Sequence, residues 1–165
     1  MTAAAGGGLA RPGDGLLHPI ALGALGILVL NDRILKTTWP GPVTGILSDV
    51  AGLIVAPLAI QAAWEVTAWA VGRWRGPSRP VLAVAILVVG VAFAAVQMWP
   101  PATDAYRIWL GLLQWPFAAL AAIGAGSTVP PVRPVVAVAD VEDLLALPAL
   151  GVSWWVGSRR VSRRG

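Results

Sequence analysis

The feature that most constrains this chain is its division into long apolar runs separated by Pro/Gly turns. The run from Val81 to Trp99 carries a single polar side chain, Gln97, close to its end. A helix of about 20 apolar residues rises 1.5 Å per residue and crosses about 30 Å of hydrocarbon. Composition agrees, since 57% of the 165 residues are hydrophobic and only 12% charged. Soluble domains carry roughly 25% charged residues. So few polar groups cannot cover a soluble domain of this size. That excludes an ordinary cytosolic enzyme, a disordered chain and a nucleic-acid binder, and makes lipid the expected solvent.

The runs divide the chain into three regions. Residues 1–15, rich in Gly and Ala, read as a flexible tail without the pattern of a cleaved signal peptide. Residues 16–157 form the membrane domain and residues 158–165 a basic tail. The first apolar run is Leu16 to Leu30, with Pro19 suited to a first helical turn and Ile34 and Leu35 able to extend it. Trp39-Pro40-Gly41-Pro42 is a turn. The second run, Val43 to Gly72, is interrupted by Pro57, Gln61 and Glu65. A short cationic linker, Arg73 to Pro80, precedes the third run, which Pro100-Pro101 stops. Ile108 to Ile123 and Asp140 to Val156 are less clear, and a Gly/Pro connector from Gly124 to Pro134 lies between them.

Cations mark the cytoplasmic side of membrane helices. Five crossings would leave seven of the 12 cations outside with the amino terminus inside, and the reverse orientation would misplace the Arg73–Arg79 linker. Four crossings with both termini inside do better. The split is nine inside to three outside if the Asp140 run lies flat, and eight to four if the Ile108 run is the re-entrant one. The expected fold is therefore all-α: a membrane bundle of four transmembrane helices plus one partial or interfacial helix. Trp39 and Trp99 mark the outer ends, and Trp69, Trp74 and Trp154-Trp155 the inner face. All but one of the cations are arginine, and Ala, Gly, Pro and Val are frequent. That bias is typical of a GC-rich bacterial genome, so a bacterial inner (plasma) membrane is the expected location.

Polar residues within such a bundle are costly and call for explanation. The densest group is Asn31, Asp32, Arg33, Lys36, Thr44, Ser48 and Asp49, across the first helix–turn–helix. Asp32 and Lys36 are four apart and share a helical face. The group reads either as a polar pocket for an ion, proton or headgroup, or as helix-end capping by Ser48 or Asp49. Asp140 and Asp143 are three apart, so they read as a pair able to hold a hard cation or as an N-cap with a capping box, with Glu142 turned to water. Glu65 lies roughly 10 Å inside the linker with Gln61 one turn away. It is either an intramembrane acid on a proton or cation path, or a glutamate snorkelling to Arg73 and the headgroups. His18, the only histidine, is expected at an interface, with a His18–Asp140–Asp143 site as the alternative. Gly23, Gly26, Gly90, Ala94 and Ala95 are expected to allow close helix packing.

The pattern from Asn31, Asp32, Leu35 and Lys36 through Pro40, Gly41, Thr44, Gly45, Leu47, Ser48, Asp49, Ala51, Gly52 and Leu53 to Pro57 and Leu58 resembles an uncharacterised family of small bacterial multi-pass membrane proteins. The stretch from Asp140 through Asp143, Leu144, Leu145, Ala146, Leu147 and Pro148 resembles that family's carboxyl-terminal segment. The resemblance implies a membrane protein and carries no activity with it.

With no cysteine, disulfides, thiolate metal sites and cysteine nucleophiles are excluded. There is no phosphate-binding glycine loop, no H-E-x-x-H and no G-x-S-x-G. No cofactor is expected. Membrane lipids are the expected partners, with a second copy or another membrane protein beside them and no nucleic acid. Three functional readings stand, in this order: a structural or accessory membrane protein, a small proton- or cation-coupled transporter or channel subunit, and an intramembrane lipid-modifying enzyme. The thin set of nucleophiles and ligands places the enzyme last.

Overall fold

The computed structural model describes residues 11–35, 38–39 and 41–162. Among them there is helix and irregular chain and no strand. α1 spans Pro19–Leu30 and continues as a π-helical turn, Asn31–Leu35. α2 is Pro42–Ala70, α3 is Arg79–Met98 and α4 is Pro100–Gly124. A 3-10 helix, Val141–Ala149, leads into α5, Leu150–Ser162. Helices α2, α3 and α4 are long and apolar enough to cross a membrane. Only 33%, 17% and 11% of their most apolar stretches are buried, so their outer surfaces are oily. That is the distribution lipid solvation requires.

The chain divides into two compact units, one drawn from Met1–Gly90 with Leu145–Gly165 and one from Val91–Leu144. The first has a small apolar core to which four helices each give one residue: Ala21, Leu58, Leu82 and Val156. α1 presents Ala21 and Ala24 inward, while Gly23 and Gly26 have no neighbour within 4 Å of a Cβ position. The expected close packing at those two glycines is therefore absent, because they lie on the outer face of α1. Gly90 does sit close to a neighbour, since a Cβ there would lie 3.0 Å from Leu150. The tightest approach in this unit is at Gly157, where a Cβ would lie 2.5 Å from Leu82 and 3.2 Å from Gln61. These approaches fix the direction of α5. Leu150 is beside Gly90, Ser153 beside Leu53 and Ile54, and Gly157 beside Gln61 and Leu82. α5 therefore runs parallel to α2 and antiparallel to α3.

Three boundaries differ from those read in the sequence. Residues 11–15, assigned to a flexible tail, form hydrogen-bonded turns, with Leu16 N–H donating to the Gly13 carbonyl. The Ile108 run begins eight residues earlier, because Pro100 and Pro101 start α4 as well as ending α3. A proline is harmless in a first turn, where its missing N–H has no helical partner. The Asp140–Val156 run is two elements rather than one helix, and α5 continues into the basic tail as far as Ser162.

In the second unit, residues 127–140 have no regular secondary structure and run back along α4 as a strap. Trp115 Nε1 donates to the Pro130 carbonyl at 2.8 Å, and Val135 N–H to the Arg107 carbonyl at 3.1 Å. The Arg107 guanidinium donates to the Ala137 carbonyl. Gly111 is required beneath the strap, because a Cβ there would collide with the Arg133 carbonyl. Among the described residues, the strap N–H groups of 128, 129, 132, 133 and 136–139 have no acceptor within the chain. Val136 and Val138 are 97% and 80% exposed. In water these donors are satisfied. In hydrocarbon each would cost several kcal/mol, on the order of 2–7.

Candidate functional site

Three polar clusters follow from this architecture. The first joins α1 to α2. Asn31 is fully buried, and its Nδ2 donates to the Thr44 carbonyl at 2.6 Å and to Ser48 Oγ at 2.5 Å. Thr44 Oγ donates in turn to the Gly41 carbonyl at 2.7 Å and receives the Gly41 N–H, which closes the start of α2. Asn31, Thr44 and Ser48 of the expected polar pocket are thus brought together. Asp49 follows Ser48 on α2 and is half-buried. The side chain of Asp32 and the whole of Lys36 lie outside the described residues.

The second cluster is at the other end of α2. Glu65 is 1% exposed, and its Oε2 accepts the Gly13 N–H at 2.9 Å. Gly13 has φ +82°, a left-handed conformation that favours glycine, and packs on Ala62 and Val66. Glu65 therefore does not snorkel to solvent. The amino-terminal turn covers it. Gln61, one helical turn away, is also 1% exposed, and neither of its amide atoms has a hydrogen-bond partner among the described residues. His18 starts α1, where its Nδ1 accepts the Ile20 N–H at 3.3 Å, and its ring meets Trp155 edge-on at 6.2 Å. The Arg159 guanidinium lies 3.8 Å from the centre of the same Trp155 ring, a cation–π contact.

The third cluster is in the second unit. Asp140 Oδ1 accepts the Glu142 N–H at 2.9 Å and so caps the 3-10 helix. The expected capping box does not close. Gln97 Nε2 donates to Asp143 Oδ2 at 2.7 Å, and the Asp140 N–H donates to Gln97 Oε1 at 3.4 Å. Glu142 is exposed, as expected. A neighbouring cleft of about 190 Å³ is lined by Gln97, Thr103, Asp104 and Arg107, with Arg107 paired to Asp104 at 2.9 Å. It is smaller than the roughly 300–1,000 Å³ of small-molecule sites. Among the described residues no three His, Asp or Glu side chains group as a metal site needs.

One participant was not singled out in the sequence. Ser153 is fully buried, and its hydroxyl lies 3.0 Å from the Leu53 carbonyl and 2.9 Å from that of Ile54. Pro57 has no N–H, so the Leu53 carbonyl loses its helical donor. The Ser153 hydroxyl supplies the replacement from α5. The signal was present in principle, since an interior proline in an apolar helix requires a donor from elsewhere. Ser153 is the only hydroxyl between Val141 and Val156. The chain matches no family model, no curated protein and no solved structure.

Proposed function

We propose that this chain is a multi-pass integral membrane protein with a structural or accessory role in a bacterial membrane. The supporting observation is where its buried polar groups go. Asn31 binds the Thr44 carbonyl, Ser153 the Leu53 and Ile54 carbonyls, Glu65 the Gly13 N–H, and Gln97 the Asp140 N–H. Each joins one element to the backbone of another, instead of converging on one cavity. Such bonds set helix register where burial of oil against oil gives no specificity.

The reading includes four crossings with both termini inside. α1 and its π turn run unbroken from Pro19 to Leu35, about 25 Å at 1.5 Å per residue. α2 and α3 cross next. The last passage starts beside Gln97, at the end of α3, and returns through the 3-10 helix and α5. Nine residues at about 2 Å and 13 at about 1.5 Å reach about 37 Å, enough to cross. This is the eight-to-four distribution of cations, with Arg159 and the tail on the side of the Arg73–Arg79 linker.

One observation favours a second reading, a small proton or cation transporter or channel subunit. Gln61 and Glu65 are buried one turn apart, and the Gln61 amide is unanswered. Purified protein in liposomes separates the two readings. A structural role predicts no proton or cation flux above that of protein-free vesicles. It also predicts that Glu65→Ala lowers stability by about 1–3 kcal/mol, while Glu65→Gln keeps an acceptor for Gly13 and loses less. Flux that Glu65→Gln, Asp32→Asn or Asp49→Asn abolishes without change in melting temperature would replace the structural reading with the transport one.

A further inference from the structure

The side chains of α4 divide into two faces. At about 100° per residue, Arg107, Gly111 and Trp115 share the face that the strap covers. The opposite face presents Trp109, Leu113, Phe117 and Leu120, which are 71%, 66%, 73% and 67% exposed. The strap is tied along α4 from Trp115 to Arg107. Were α4 to cross the membrane, the strap would cross with it, carrying its unanswered N–H groups into hydrocarbon. Closed helices and barrels are the only lipid-exposed backbones that avoid this penalty.

We propose that α4 and its strap lie flat on the membrane surface, and that the partner of the Trp109–Leu120 face is the headgroup–acyl boundary of a phospholipid bilayer. The inference rests on the multi-pass reading above. Three observations select this partner. A single residue, Trp99, separates α4 from the spanning helix α3, so α4 starts at the bilayer surface. Trp109 and Trp115 are partly exposed aromatic rings, which favour interfacial depth. The strap side carries Arg107 and Arg133 and the water-requiring N–H groups, so one face needs water while the other needs lipid. This is the division found in helices that lie in the interface plane.

The chain contains no cysteine, so single exposed cysteines report position directly. Ala105→Cys and Ser127→Cys stand about 33 Å apart along α4. In sealed phosphatidylethanolamine/phosphatidylglycerol vesicles, an impermeant maleimide is expected to label both, and Val138→Cys, from the same side. A nitroxide at Leu113→Cys is expected to be accessible to oxygen and shielded from a water-soluble nickel complex, at about 5–10 Å depth. Labelling of 105 and 127 from opposite sides would overturn the proposal, as would a Leu113 nitroxide open to nickel. Disulfide cross-linking between two copies through Leu113→Cys would overturn it in favour of a second copy. Thr38→Cys and Arg73→Cys flank α2 and are expected on opposite sides. If they label from the same side, the multi-pass reading itself fails, whatever α4 does.

Discussion

α2 and α4 are the two long helices with an interior proline, and they meet its cost differently. In α2, Pro57 is buried and the carbonyl it frees, at Leu53, faces the Ser153 hydroxyl of α5. In α4, Pro116 is exposed, and among the described residues no side chain of another segment bonds the Leu112 carbonyl. The same contrast holds around each helix. α2 packs against helices that answer Ser48 and the Leu53 carbonyl but not the Gln61 amide, whereas α4 is covered by an irregular strap, most of whose N–H groups find no acceptor among the described residues. Both helices are long and apolar enough to cross a membrane, although α2 is the more apolar. The accounting of backbone hydrogen bonds separates them, because unpaired N–H and C=O groups are cheap in water and expensive in oil.

The sharpest way to break the contrast is Gly111→Val. Its side chain would meet the Arg133 carbonyl, which belongs to the backbone and cannot rotate away. The strap is expected to detach, seen as rapid hydrogen exchange and proteolysis across 127–140, while Val43–Ala70 keeps its protection. Equal loss of protection in α2 would show that the two regions are one cooperative unit.

A double-mutant cycle tests the α2 side. Ser153→Ala is expected to cost about 1 kcal/mol, within the range of interhelical hydrogen bonds in membranes. Pro57→Ala restores a helical N–H for the Leu53 carbonyl, so Ser153→Ala is expected to cost clearly less in that background. Strict additivity in thermal or denaturant unfolding would separate the serine from the proline.

Much of the first unit was legible in advance. Proline and glycine turns announced the ends of α1, α2 and α3, and Asn31, Thr44 and Ser48 were visible as members of one polar group across a turn, but not the bonds that join them. Asp140 was legible as a cap because short acidic side chains accept the first N–H groups of a helix. The polarity of Glu65 was visible, but its fate was not. Whether a glutamate at that depth snorkels depends on what covers it, and here the cover is Gly13, 52 residues away in the chain. Gly23 and Gly26 resembled packing glycines, yet Gly157 and Gly111 perform that role. A glycine allows a close approach only where a second element arrives, and helix rotation about its own axis is weakly specified when every face is apolar.

The sequence by itself determined the solvent. Runs of apolar residues and a charge content of 12% leave lipid as the medium in which this chain is stable, and the helical state follows from the need to pair every backbone group there. Tertiary structure decided what becomes of the two ambiguous runs. The Asp140 run closes the four-helix core through Val156 and answers Pro57 through Ser153. The Ile108 run gains a strap whose donors require water. Length and hydropathy alone favour the Ile108 run, since only its helix is long and apolar enough to cross a membrane. The difference is set by which backbone groups find partners at long range, and that is a property of the folded chain alone.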